Sequence, residues 1–363
     1  ITHRFPFAKA EDAYKLIAEG REPYLGILLE YDTGDRAAVD AGPVVLKASP
    51  APSPTSTPVV GVIGAGNFTG QVILPALSRT PARLKTIASA KGVTGTHLGR
   101  KFGFETSLTD SGSIMSDPEI DTVFITTRHD THATLVLKAL EAGKHIFVEK
   151  PLCLNSKELD RIVEARRPDR HLMVGFNRRF SPFTEKAKNL LEGIDAPKSI
   201  VITVNAGHIP PDHWTQDPAV GGGRLIGEAC HFIDLLRFLA GCRIFRHELT
   251  RMDAGAGDTL TLTLEFEDGS IGAVHYFANG HKAFPKERLE IFCSGRILQL
   301  DNFRRLTGYG WPGFKGLKTW RQDKGHHGEV AAFIKAVASG GPPPIPFDEI
   351  EEVTRVTLQL AGR

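Results

Sequence analysis

The spacing of apolar and polar positions changes three times along the chain, and each change marks a different piece of structure. Over Ala8 to Glu19, apolar side chains at Ala10, Ala13, Tyr14 and Ile17 repeat at helical spacing, and after Gly20 the run Tyr24 to Tyr31 reads as a strand. So short a helix and strand enclose no core of their own, and residues 1–42 are expected to be a remnant of an upstream domain. The segment from Pro43 to Pro58, PVVLKASPAPSPTSTP, follows with five prolines. These lack N–H donors and fix φ, which excludes a helix or central strand and predicts a linker over 43–57. From Val59 the pattern becomes strand, turn, helix, repeated: the apolar run Val59 to Ile63, a glycine turn at Gly64 to Gly66, a helix over Val72 to Leu77, and a second run at Leu84 to Ala88. Asp121 to Thr126, a helix over His132 to Glu141 ended by Gly143, and His145 to Val148 give a further round.

Apolar strands alternating with helices predict a parallel sheet covered on both faces, because right-handed crossovers place helices on the two sides. A Rossmann-type dinucleotide-binding domain is therefore expected over 58–175. From Lys198 the segments lengthen and partly alternate, at Ser199 to Val204, Thr259 to Phe266, Ser270 to Phe277, Arg288 to Cys293 and Ile297 to Leu300, with turns such as Glu267-Asp268-Gly269 between them. These read as antiparallel hairpins. One helix over Glu228 to Leu239 interrupts them, and another over Phe347 to Leu360 ends the pattern. The fold class expected is α/β plus α+β, the Rossmann domain being followed by an open, mostly antiparallel sheet domain for substrate and oligomerisation over 176–363. A bare face as apolar as LTLTLEFEDGSIGAVHYF is an aggregation hazard, which predicts a homodimer or homotetramer.

Charge narrows the class of partner. With 44 Lys plus Arg against 42 Asp plus Glu, the formal charge is +2, too balanced for a nucleic-acid or anionic-membrane binder. The longest apolar runs, Val59 to Ile63 and Ile200 to Val204, fall far short of the ~20 residues of a membrane span, and the N-terminus lacks signal-peptide order. A cytoplasmic protein is expected. Cys153, Cys230, Cys242 and Cys293 form no C-x-x-C pair, so neither zinc nor a disulfide framework is expected. The sequence begins at Ile1 rather than Met, which suggests a piece of a longer product.

Candidate chemistry clusters where strands end. In VVGVIGAGNFTG, Gly64 and Gly66 lie between a strand and a helix, where backbone N–H groups and the helix dipole hold a pyrophosphate. The third glycine of that fingerprint is replaced by Thr69, with Gly70 one later. The second strand ends in Ser89-Ala90-Lys91 rather than a ribose-binding carboxylate, which favours NADP slightly over NAD. The pair Glu149-Lys150 ends another strand on the ligand-binding side. Arg178 and Arg179 in GFNRRF are candidates for binding a substrate hydroxyl or phosphate, or else surface ion pairs. His129 and His132 have no third ligand at usable spacing, so no metal is assigned.

Taken together, Gly64-x-Gly66, the TTRHDTH segment from Thr126 to His132, Ala139-x-x-x-Gly143-Lys144-His145, Glu149-Lys150-Pro151, and Gly221-Gly222-Gly223 followed by His231-x-x-Asp234 resemble the glucose-fructose oxidoreductase and inositol dehydrogenase family (Gfo/Idh/MocA). The resemblance runs from about residue 58 to the C-terminus. It implies a nicotinamide site involving Gly64, Gly66, Asn67, Phe68, Thr126, Thr127, His132, Glu149 and Lys150, beside Ser89 and Lys91. Lys150 and His231 then assist the proton transfer that accompanies hydride transfer, with Asp234, Arg178 and Arg179 as substrate-binding candidates. The family pattern has an Asp four residues before the histidine. Here Gly227 stands there, and Glu228, three residues before His231, is expected to orient the histidine or the substrate, or else to cap its helix. The function implied is NAD(P)-dependent interconversion of hydroxyl and carbonyl on a sugar, nucleotide sugar or cyclitol. Alternatives are a non-catalytic nucleotide-binding sensor, or a reductase of a non-sugar carbonyl or imine. Residues 1–32 are similar, less specifically, to the end of zinc-type medium-chain alcohol dehydrogenases, which suggests a two-enzyme fusion.

Overall fold

The computed structural model describes residues 1–20, 22–31, 42–49, 57–253 and 257–363. Two compact units result, Ile1–Gly42 and Pro43–Arg363. In the first, strands β1 (His3–Pro6) and β2 (Ile27–Glu30) pair in parallel across a helix, Ala10–Glu19, whose C-terminus is closed by Gly20 at φ 59°. Its Tyr14, Ile17, Leu25 and Tyr31 remain exposed, as expected of so short a piece.

The second unit holds a seven-stranded sheet made of β3 (Val44–Val45), β4 (Val59–Ile63), β5 (Arg83–Ala88), β6 (Thr106–Leu108), β7 (Thr122–Ile125), β8 (His145–Val148) and β9 (Leu172–Val174), in the order β3-β6-β5-β4-β7-β8-β9. All neighbours are parallel except β3 against β6. Because β5 and β7 flank β4 on opposite sides, the strand order reverses there and a crevice opens at the carboxyl ends of the strands. Val44-Val45, expected within the linker, instead forms an edge strand, and Leu46 packs on the core. Prolines begin to dominate only from Pro50, so the residues before it are free to pair. Residues 50–56 of the expected linker lie outside the described residues.

The second sheet has eight strands: β10 (Ser199–Asn205), β11 (Ile244–Arg251), β12 (Leu260–Phe266), β13 (Ile271–Phe277), β14 (Glu287–Cys293), β15 (Arg296–Asp301), β16 (Arg305–Tyr309) and β17 (Gly316–Lys318), ordered β11-β12-β13-β10-β14-β15-β16-β17. It is antiparallel throughout except for β10 against β13. Strict alternation gives it one buried face, carrying Leu260, Leu262, Leu264, Val274, Tyr276, Leu289 and Ile291, on which the buried helix Cys230–Ala240 lies. That helix starts two residues later than the sequence pattern suggests, because Leu225–Ala229 forms a π-turn ahead of it. Helix His326–Ser339 leaves the second sheet and returns to the first, where Phe333 meets the stacked rings of Phe124 and Phe147 edge-on at 5.6 and 5.7 Å. Both sheets are thereby tied into one body around the crevice.

Candidate active site

Five segments that end strands of the first sheet converge on the crevice: Gly64–Phe68 after β4, Ser89–Lys91 after β5, Thr126–Arg128 after β7, Glu149–Lys150 after β8, and Asn177–Arg178 after β9. The first three line a groove of about 930 Å3, which Trp214 closes from the second half of the chain. Gly64 has φ 109°, and a Cβ there would strike the Thr126 carbonyl oxygen at 2.6 Å, so the fold itself demands glycine. Gly66 is different. A Cβ there would meet no protein atom within 4 Å and would project into open space, the shape of a cradle in which backbone approaches a bound group. Gly64, Gly66, Asn67, Phe68, Ser89, Lys91, Thr126 and Thr127 all line the groove, and the residues present thus fit a dinucleotide.

A smaller cavity of about 400 Å3 adjoins the groove and shares Phe68, Thr126, Thr127 and Trp214 with it. Glu149, Lys150, Arg178, Glu228 and His231 all line this cavity. Lys150 Nζ donates to the Gly227 carbonyl oxygen at 2.5 Å, bridging the end of β8 to the π-turn. A Cβ on Gly227 would meet the His129 ring at 3.1 Å, so a larger residue there, such as the Asp of the family pattern, would need that ring to shift. His231 is buried and its Nδ1 has no hydrogen-bond partner among the described residues. Burial, with Arg178 and Lys150 nearby, pushes its pKa well below the usual histidine value, so the ring is neutral and able to accept a proton. Glu149 is buried with Oε1 unpartnered among the described residues, and burial pushes it up to about 7 against the pull of Lys150.

Several expected roles change. Glu228 makes no hydrogen bond to His231 among the described residues: its carboxylate accepts from Lys286 Nζ (2.8 Å), Arg224 Nη2 (2.9 Å) and the Tyr276 hydroxyl (2.5 Å). Burial opposes its ionisation, but Lys286, Tyr276 and Arg224 outweigh that and hold it at about 2. The π-turn rather than a regular α-turn precedes His231, which removes the i, i+3 register assumed for the pair. Arg179 and Asp234 are outside the cavity lining and bind each other, with Nε–Oδ2 at 3.1 Å and Nη2–Oδ1 at 2.5 Å, while Arg179 Nη1 takes Glu349 at 2.8 Å. His132 is fully buried and lines neither cavity. Its Nδ1 donates to Pro151 O at 2.7 Å, and Nε2 lies 3.2 Å from Thr127 O, so it braces the turn that presents Lys150. Residues not anticipated from the sequence also line the site: Trp214, Arg224, Lys324 and His326, of which Arg224 directly follows the glycine triplet. Among the described residues, no three His, Cys, Asp or Glu side chains converge on a metal position, and all four cysteines are free.

Sequence and structural comparisons match this arrangement. A model of an oxidoreductase family with an NAD-binding Rossmann fold matches residues 59–176, and the GFO/IDH/MocA C-terminal domain matches residues 187–299. The myo-inositol 2-dehydrogenase of Thermotoga maritima is 30% identical over 305 residues, which cover 79% of this chain and 90% of that protein. The inositol 2-dehydrogenase of Rhizobium meliloti is 28% identical over 299 residues, covering 77% and 88%. Levoglucosan dehydrogenase, solved in complex with NADH and levoglucosan, superposes with a TM-score of 0.73 at 25% identity over 84% of this chain and 97% of its own. With a groove shaped for a dinucleotide and a neutral histidine facing a lysine beside it, the chain belongs to the Gfo/Idh/MocA family of NAD-binding oxidoreductases.

Proposed function

We propose that the protein is an NAD(P)-dependent dehydrogenase that interconverts a hydroxyl and a carbonyl on a sugar-like ring, with His231 and Lys150 as its catalytic pair. The observation that carries this reading is the meeting of both side chains in one cavity that opens onto the dinucleotide groove. A nicotinamide bound there supplies hydride acceptance and donation. In the oxidative direction His231, neutral because it is buried, takes the hydroxyl proton, and Lys150 donates a hydrogen bond to the oxygen. Lys150 is held for this by Gly227, and Phe68 and Trp214 line both the cavity and the groove. The inositol and levoglucosan dehydrogenases among its relatives support a polyhydroxylated ring as substrate. A sensor would have no use for a proton acceptor facing a lysine across that cavity. Adding sugars, nucleotide sugars and cyclitols to protein with NAD or NADP, and following reduced-nicotinamide absorbance, tests the reading; no absorbance change with any of them, while cofactor binds, counts against it.

The same groove supports a preference for NADP. Ser89 and Lys91 line it beside Thr94, and the one carboxylate that lines the groove among the described residues, Asp130, follows β7 rather than β5. Ser89→Asp is expected to shift the ratio of NADP to NAD affinity toward NAD by about tenfold or more; tighter NAD than NADP binding by the parent protein would contradict it. For residues 1–42, the parallel strand-helix-strand unit with bare apolar side chains supports the reading of a remnant from an alcohol-dehydrogenase-like domain.

A further inference from the structure

The catalytic cavity carries more positive charge than its own carboxylates offset. Lys150, Arg178, Arg224 and Lys324 line it, and Lys286 joins them through Glu228. Two carboxylates are bound to four of these five cations, and Lys150 donates to the Gly227 carbonyl instead. Glu287 bridges Arg178 (Nε at 2.8 Å, Nη2 at 2.9 Å) and Lys324 (Nζ at 2.6 Å), and Glu228 bridges Arg224 and Lys286. Glu149, the remaining acid of the lining, is pushed toward its protonated form, and the position one turn before His231 holds Gly227 rather than an acid. His129, His231 and His326 are all pushed below the usual histidine range, chiefly by burial, and add no charge.

A dinucleotide does not account for this excess. None of the five cations lines the groove in which Gly64–Phe68 would hold its phosphates, and the cations found there are Lys91 and Arg128. Nor are the cations saturated. Arg178 uses Nε and Nη2 on Glu287, and its Nη1 has no partner among the described residues, while Lys324 Nζ makes one bond with three protons to offer. Net charge held at low dielectric is costly unless a counter-charge shares the space.

We infer that the substrate is an anionic sugar, carrying a carboxylate or phosphate that binds at the Arg178–Lys324 corner while a ring hydroxyl faces Lys150 and His231. The inference rests on the dehydrogenase reading for the second contact only. A guanidinium with a free edge beside an ammonium matches the two oxygens of either group. The same corner gives a neutral polyol no ionic contact, which separates this site from one built for an uncharged ring.

The test is calorimetric binding to the complex of the protein with reduced cofactor, using glucose, glucuronate, glucose 6-phosphate and UDP-glucose, and the same set in the galacto series. At least one charged member is expected to bind tenfold or more tightly than its neutral parent, and the difference to shrink as salt is raised. Which member wins identifies the charged group. Lys324→Gln, which leaves Arg178 paired with Glu287, is expected to lose tenfold or more in affinity for that member and less than threefold for the neutral sugar, with cofactor affinity unchanged. Equal or tighter binding of the neutral sugars, no binding by any charged probe, or a Lys324→Gln protein with unaltered preference would each overturn the inference. In the absorbance assay with NAD or NADP in place of the reduced cofactor, reduction of nicotinamide by a neutral hexose with the charged sugars inert would retain the dehydrogenase and remove the anion; tight calorimetric binding of a charged sugar with no nicotinamide reduction by any of the sugars would do the opposite.

Discussion

Lys150 and Glu228 both line the catalytic cavity, yet their surroundings assign them different work. Lys150 has one backbone acceptor and lines the same cavity as His231, whereas Glu228 is held by three donors and touches neither His231 nor Lys150 by hydrogen bond. Lys150→Ala is therefore expected to lower kcat by about 10²-fold or more. Glu228→Gln is expected to hold kcat within about threefold while losing about 1.5–3 kcal/mol of stability, since it weakens charge-assisted bonds; a 10²-fold loss of kcat in Glu228→Gln would return it to the catalytic set. Glu329 gives a pH-dependent contrast. It is fully buried with both carboxyl oxygens unpartnered among the described residues, and burial, with Glu149 nearby, raises its pKa well above the usual value. The unfolded chain releases this proton near its ordinary pKa of 4.5 while the folded protein keeps it. Stability therefore falls as pH rises above that value, and continues to fall until the folded group ionises. Glu329→Gln removes this loss without changing shape, so its Tm is expected to exceed the parent's by roughly 2 °C or more at pH 8 and to match it near pH 4.5; thermal melts at both pH values decide it.

At the scale of elements, the ligand-binding edge of the first sheet was the most legible part. Strand ends, glycine turn and helix start are coded by contiguous residues, and the side chains singled out there, Gly64 to Phe68, Ser89, Lys91, Thr126 and Thr127, line one groove. What was not legible depends on contacts distant in sequence. Strand β11, IFRHELTR, shows little apolar alternation because it is a sheet edge with charged side chains in solvent, and no periodicity marks it. The pairing of Arg179 with Asp234 joins residues 55 apart, so a sequence offers both as site residues although neither lines the cavity. Lys324 and His326 reach the cavity only because the helix beginning at His326 returns to the first sheet. The glycine turn itself makes a clear prediction. A side chain at position 66 meets no protein atom, so Gly66→Val is expected to fold with unchanged Tm within about 2 °C and to weaken cofactor binding by about 10²-fold or more. Near-parental cofactor affinity in that variant would remove the groove from the cofactor site.

For the whole molecule, the question is what covers the outer face of the second sheet. Register places Tyr309, Ile297, Phe292, Ser199 and Ile271 in one row across β16, β15, β14, β10 and β13, side by side and on the face turned away from the core. Tyr309 is 50% exposed, Ile271 54% and Phe292 42%. The next rows mix Ala273 and Val201 with Thr203, His275, Arg288 and Glu290, so the face is neither uniformly charged nor blunted by proline or lysine at its centre. A largely apolar row of this length matches the geometry of a second copy laid against the first, because a two-fold axis sets the row against itself. The expected state is a homodimer or homotetramer through this face. Ile271→Glu with Phe292→Glu would place like charges against each other across such an axis at two points, without touching the core, the groove or the cavity. The doubly substituted protein is expected to scatter light as a monomer at micromolar concentration, where the parent scatters as a dimer or tetramer, and to keep its cofactor affinity. A parent that is monomeric at that concentration, or a double variant whose mass is unchanged, would show that some other surface, or none, joins the copies.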